Sequence, residues 1–248
     1  MSTRQPNVLW ICTDQQRYDT VHALGNEHVR TPNLDRLAAE GVAFTRAYAQ
    51  SPVCTPSRAS FLTGRYPSTL HVNRNGNAYF PADARLVTRT LAGVGYDCGL
   101  VGKLHLSAAD GRVEVRPDDG YRVFKWSHHP QPEPFWPTEE HDYQRWLCEQ
   151  GVDWDGAYGA ETVSGWEVQE TYGPGIETRY HQTTWCADEA IAFMLAERVG
   201  PWLMSVNPFD PHPPQDPPAE YRARKGFASM SVPRFQPGEM ECPFDFKG

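Results

Sequence analysis

The chain has 248 residues, of which 40% are hydrophobic and 12% aromatic; this is enough apolar surface for one packed domain and argues against general disorder. Twenty-three Lys and Arg stand against 31 Asp and Glu, a formal charge of −8 with no basic tract, so binding of nucleic-acid phosphates by bulk charge is not expected and an anionic ligand needs a local cationic pocket. The apolar run at the start, Val8 to Cys12, is too short for a signal sequence or membrane span, and the cysteines at 12, 54, 98, 148, 186 and 242 contain no CxxC pair, so the expectation is reduced thiols in a cytoplasmic protein.

In chain order, Asn7 to Thr13 reads as a buried parallel strand ending on Asp14-Gln15-Gln16-Arg17. Thr31 to Gly41 reads as a helix with a Thr N-cap, Pro at its first position, Leu34, Leu37 and Ala38 at i, i+3 and i+4, and a Gly stop. Val42 to Tyr48 is predicted as a second strand. Thr55-Pro56 repeats the cap-and-proline start, which places Cys54 just outside a helix N-terminus. Leu86 to Ala92 reads as a helix and Gly95 to Val101 as a buried strand followed by Gly102-Lys103-Leu104-His105. The segment 110–178 is rich in Pro, Gly, Trp and acidic residues and is read as an irregular insertion in a single domain spanning 1–248. Helical spacing returns from Tyr180 to Arg198, and Trp202 to Val206 is a further strand before the proline-rich loop 207–218. Alternating strands and helices predict a three-layer α/β/α sandwich.

In such a sheet, polar residues at strand ends share one edge. That edge would gather Asp14 and Gln15, Cys54 with Arg58, Lys103 with His105, and Asp210 with His212: hard oxygen ligands for a divalent cation, a nucleophile and several cationic donors. Taken alone, each has a plain reading too. Cys54 is either a reactive thiolate at a helix mouth or a buried, inert cysteine. Asp14 can cap a turn, Lys103 can be a solvated loop lysine, and Asp210-Pro211-His212 can be loop packing. The remaining histidines, including His128 and His129, sit in no strong motif, and surface or packing roles are favoured for them.

Cys54-Thr55-Pro56-Ser57-Arg58, followed by Leu62-Thr63-Gly64-Arg65, resembles the C-x-P-S-R signature of the sulfatases within the alkaline-phosphatase-like superfamily. Asn7 to Gln15, Thr31 to Gly41, Gly102 to His105 and Pro208 to Pro213 match in the same order. The resemblance implies that Cys54 is oxidised to formylglycine by a formylglycine-generating enzyme, and that its hydrated aldehyde attacks a small-molecule sulfate ester. It also implies that Asp14, Gln15 and residue 54 bind a divalent metal, with Ca2+ the usual choice and Mg2+ or Mn2+ compatible. By the same carry-over Arg58 holds the diol, Lys103 neutralises sulfate oxygens, His105 takes a proton, and His212 contacts the ester and assists the leaving group. Asn75 resembles a substrate-pocket position of the phosphonate-hydrolase branch.

Family members continue with a later Asp-Asn or Asp-His pair, whereas after His212 the Asp residues here are Asp216 and Asp245, neither followed by Asn or His. The expectation is an N-terminal portion of the family fold, truncated at its C-terminus, whose missing half or an oligomeric partner would complete the metal site. Two alternatives stand beside sulfate-ester hydrolysis: phosphonate monoester or phosphodiester hydrolysis, favoured by Asp14-Gln15-Gln16-Arg17 and Arg74-Asn75-Gly76, and an inactive fragment or subunit. Lys103 and His105 fit the sulfatase form better, since the phosphonate branch tends to carry Tyr and Thr there.

Overall fold

Runs of β-branched and large apolar residues pair side by side in a parallel sheet. The computed structural model describes residues 5–109, 113–129, 140–153, 175–213 and 215–222, and among these the strands are β1 (Val8–Ile11), β2 (Asp97–Gly102), β3 (Val123–Trp126) and β4 (Trp202–Asn207). Their order is β1-β4-β2-β3, every pairing parallel. Ile11 lies opposite Val206, and Gly102 lies opposite both Asn207 and Trp126, so the carboxyl ends of all four strands are level.

The helices are α1 (Pro32–Glu40), α2 (Cys54–Thr63), α3 (Pro67–Leu70), α4 (Val87–Gly93), α5 (Asp142–Glu149), α6 (Gln182–Leu195) and α7 (Ala219–Arg222). Because side chains alternate across a strand, Leu100 and Leu203 face one core with Ala59 and Leu62 of α2, Leu70 and Leu86. Val101 and Met204 face the other, against Tyr143 and Leu147 of α5 and Trp185, Cys186, Ala190 and Phe193 of α6. Helices therefore cover both faces, the three-layer arrangement expected.

Five expectations need correction. β1 is parallel but not buried: among the described residues it pairs only with β4, and Leu9, Trp10 and Ile11 are exposed. Residues 42–48 form turns and irregular chain, because no strand among the described residues pairs with them; Phe44 is 77% exposed. The segment read as irregular, 110–178, contributes β3 to the sheet and α5 to the second core, and much of its remainder lies outside the described residues. Cys54 is the first residue of α2, with Val53 as N-cap, rather than a residue outside it. Thr31 does precede α1, but its hydroxyl donates to Asp35 and accepts the His22 N–H instead of capping the helix.

Candidate active site

The level strand ends place four loops on one edge. Asp14 follows β1, and its N–H donates to the Asp210 carbonyl at 3.1 Å, tying the loop after β1 to the loop after β4. Lys103 follows β2 directly. Its N–H donates to Asn207 O at 2.9 Å, and its own carbonyl accepts from Arg58 Nη1 and Asn207 Nδ2, each at 2.9 Å. This close approach of the two chains needs Gly102: φ there is 104°, and a Cβ would lie 2.0 Å from Asn207 O.

At the centre is a buried charge cluster. Lys103 Nζ lies 2.5 Å and Arg58 Nη2 3.6 Å from Asp14 Oδ2, with Asp14 5% and Lys103 1% exposed. Burial alone would raise the Asp14 carboxyl, but the Lys103 ammonium and the Arg58 guanidinium outweigh it and hold the group below the usual carboxylate range. Burial pulls the Lys103 ammonium below its ordinary value, with Asp14 opposing. Lys103 Nζ also sits 5.0 Å from the centre of the Phe209 ring.

Cys54 opens α2 beside this cluster. No side chain caps α2 from its N-cap residue; instead the Thr55 N–H donates to Asn75 Oδ1 at 2.9 Å, which brings Asn75 to the helix mouth from twenty residues away. One ligand atom each from Asp14, Cys54 and His212 lies within 4.8 Å of the others. Gln15 sits on an exposed bend at φ 57°.

His105 occupies a left-handed conformation, φ 56°, and is buried. The loop around it is held by Glu114, whose carboxylate accepts N–H bonds from His105 at 2.5 Å, Leu106 at 2.7 Å and Ser107 at 3.3 Å, and from Trp126 Nε1 at 3.0 Å. Burial raises the Glu114 pKa and these donors oppose the shift. Burial, then Lys103 and Arg58, push His105 down to about 2, so its ring is neutral, and its buried Nδ1 has no hydrogen-bond partner among the described residues.

Residues that spacing left unassigned join the site. His128 packs edge-on against His105 with ring centres 4.7 Å apart, and its Nδ1 lies 2.8 Å from His129 Nδ1. His129 packs on Phe209 and His212 at 4.6 and 5.6 Å. Both follow β3, so the signal that would have found them is the strand that their Pro- and Trp-rich surroundings obscure. Glu114 has no such signal, because its role exists through backbone N–H groups and the Trp126 indole brought to it by the fold. His212 Nδ1 faces the Pro213 carbonyl at 2.5 Å; a carbonyl only accepts, so Nδ1 carries the proton and neutral His212 presents Nε2 as a lone pair. Burial and then Lys103 lower the His212 pKa.

The buried anionic oxygen of Asp14 next to position 54 and a histidine nitrogen is a donor set that a divalent cation fits, with hard oxygen predominant if residue 54 carries oxygen in place of sulfur.

A family model described as Sulfatase matches residues 6–233. The ulvan-active sulfatase of Formosa agariphila is 34% identical over 147 residues, 57% of this chain and 29% of that protein. Arylsulfatase A of Bos taurus is 33% identical over 192 residues, 71% of this chain and 36% of that protein. Among solved structures, the phosphonate monoester hydrolase of Agrobacterium radiobacter superposes with a TM-score of 0.72 at 28% identity, over 93% of this chain and 45% of that one. The chain thus spans about a third of the length of these curated relatives and under half of that structure.

Proposed function

The chain belongs to the sulfatase family, and from that premise we propose that it hydrolyses small-molecule sulfate esters at the edge formed by Asp14, Cys54, Arg58, Lys103, His105 and His212. The observation that carries this reading is the gathering of Asp14, Cys54 and His212 within 4.8 Å beside two buried cations. Asp14, residue 54 and Gln15 would hold a divalent cation, assigned here as Ca2+. A bound cation supplies electrostatic stabilisation of anionic oxygen, and a formylglycine made from Cys54 by its maturation enzyme supplies a nucleophilic hydroxyl in place of the thiol.

The chain's own residues account for the rest. Lys103 and Arg58 present positive charge, largely removed from water, to the oxygens of a sulfate group. Burial and the neighbouring cations hold His105 neutral with its pKa at about 2, so it takes up a proton only when an anionic group bound beside it raises that value. His212 in its neutral form offers Nε2 as an acceptor, so assisting a leaving oxygen requires it to take up a second proton first. Asn75 fixes the mouth of α2 through Thr55 and borders the substrate position.

A second reading, hydrolysis of phosphonate monoesters or phosphodiesters, is favoured by the superposition on the phosphonate monoester hydrolase over 93% of the chain. The ratio of kcat/KM for aryl sulfate and aryl phosphonate esters separates the two, with sulfate expected to lead. Mass spectrometry of the tryptic peptide containing Cys54, after coexpression with the maturation enzyme, is expected to show the aldehyde; a wholly unmodified thiol in active protein overturns the proposal. Metal-dependent turnover by the 248-residue chain alone would exclude an inactive subunit. Cytoplasmic location is part of the same reading, motivated by the free thiols of Cys12, Cys54, Cys98, Cys148 and Cys186, and fractionation tests it.

A further inference from the structure

A cleft of about 610 Å³ lies outside the Asp14–Lys103 cluster, and its walls carry Arg65, the His71 ring and Arg74 against one acidic side chain, Asp83. On a chain with a formal charge of −8 this is a local reversal of sign. α2 has ten residues and is about 15 Å long. Arg65 stands just past its last turn, whereas Arg74 precedes Asn75, whose Oδ1 takes the Thr55 N–H at the first turn. The cleft therefore runs from the foot of α2 toward the mouth that carries Cys54. Its 74–77 wall is fixed from two sides: Asn77 Nδ2 donates to the Arg74 carbonyl at 3.3 Å, and the Asn77 carbonyl accepts the Ala108 N–H at 2.7 Å, from the loop that carries Lys103 and His105. Arg65 is loosely held, with Nη1 4.0 Å from the exposed Asp83 carboxylate and Nη2 3.5 Å from the Thr69 carbonyl. The Arg74 side chain makes no hydrogen bond or ion pair among the described residues. Both guanidinium groups thus keep donors to spare, and Tyr79, 74% exposed, adds a flat ring to the same wall.

We propose that this cleft is a subsite for the part of the substrate that does not react, and that the substrate is a saccharide bearing a second oxyanion, which Arg74 and Arg65 hold while Tyr79 packs on the sugar ring. The assignment rests on the sulfate-ester reading for the group that reacts and adds the chemistry of the remainder. Guanidinium groups with free donors select sulfate or carboxylate oxygens, which accept paired N–H bonds. A neutral aryl ester would leave both cations unused. An oxyanion fixed here orients the ester with respect to position 54, so that binding energy from a remote group reaches the reacting centre.

Isothermal titration of the full chain, with Cys54 unmodified, tests this with sucrose octasulfate as the probe and with sucrose and inorganic sulfate as controls. Octasulfate is expected to bind and sucrose to give no measurable heat, with inorganic sulfate at least roughly a hundredfold weaker because it engages the cations one at a time. Arg74→Gln is expected to weaken octasulfate about fivefold, the upper size of an exposed ion pair, and Arg65→Gln by less, because Asp83 already shares that guanidinium. Arg36→Gln, at an exposed arginine on α1, is expected to leave it unchanged. Absence of octasulfate binding, binding indifferent to Arg74→Gln, an equal loss with Arg36→Gln, or inorganic sulfate binding as tightly overturns the proposal. Arg74 is exposed, so its variant is expected to keep the far-UV circular dichroism of the parent, and it decides alone if Arg65→Gln unfolds. Binding needs neither turnover nor formylglycine, so its failure leaves the hydrolysis reading in place. Failure to hydrolyse 4-nitrophenyl sulfate, which has no second anion, would defeat that reading and leave the binding result standing.

Discussion

The two sides of the sheet hold their site residues by different means. β2 and β4 lie between helices with Leu100 and Val101 wholly buried and Met204 nearly so, and the loops they launch carry Lys103, His105 and His212. β1, α1 and residues 42–48 show apolar side chains to solvent, with Leu9 at 47% and Ile11 at 58% exposure, yet β1 launches Asp14. Asp14 is positioned less by packing than by a strip of hydrogen bonds, namely the β1–β4 ladder, Cys12 N–H to Val206 O and Asp14 N–H to Asp210 O, and by the two cations that surround it. Half of the central ion pair is thus anchored in a core, and the other half is held by polar contacts at a sheet edge. Charge placed this way is sensitive to removal of its partner in a manner that the exposed apolar groups nearby are not.

Lys103→Met tests this most severely. It leaves a buried carboxylate whose remaining ion pair among the described residues is the longer one to Arg58, and loss of one partner of a buried pair is expected to cost about 3–5 kcal/mol by denaturant unfolding. Asp14→Asn added to Lys103→Met should recover part of that loss; no recovery would mean that the pair is not the unit described here. Next, Leu100→Ala in the buried centre is expected to cost about 2–5 kcal/mol. The comparison would fail if Leu100→Ala were no worse than a substitution on the exposed strand.

Glu114→Gln replaces one accepting oxygen by an amide NH2 and leaves buried N–H groups without an acceptor, for an expected loss of about 1–3 kcal/mol. Because the same carboxylate holds the His105 loop, kcat is expected to fall with little change in KM, whereas a purely structural role would lower only the melting temperature.

Acid is expected to act more gradually. His105 and His141 are pushed down to about 2 and about 3 by burial, so in the native state they stay neutral at a pH where the unfolded chain, near its ordinary histidine value, takes up protons. Their stabilisation is therefore complete above about pH 6.5 and declines as pH falls below it, by up to about 1.4 kcal/mol per pH unit for each histidine. Stability that is flat from pH 7 to 5 would show that these rings are not buried as described. The smallest effect is expected at the exposed strand, where Ile11→Thr should change stability by no more than about 0.5 kcal/mol.

Much of this was legible in residue order. Proline and glycine marked α1 and the end of α2, apolar runs marked β2 and β4, and the signature around Cys54 with the strand-end residues indicated which loops belong together. The errors have a common cause. Val42 to Tyr48 has the residue types of a strand, but a strand exists only where a neighbouring ladder satisfies its backbone. β3 was hidden by Pro- and Trp-rich flanks, and the two histidines after it were hidden along with it.

The sequence by itself determined most of the helices, β2 and β4, and which side chains are candidates for the chemistry, because propensity, capping and short-range spacing act within a few residues. The folded arrangement alone decided which charges meet and which histidines lose their water. It also decided that Glu114 gathers three backbone N–H groups and an indole, and that Arg65 and Arg74 line one cleft. Those outcomes depend on distances between residues remote along the chain, and desolvation and Coulomb energies, unlike turn propensities, are set by such distances.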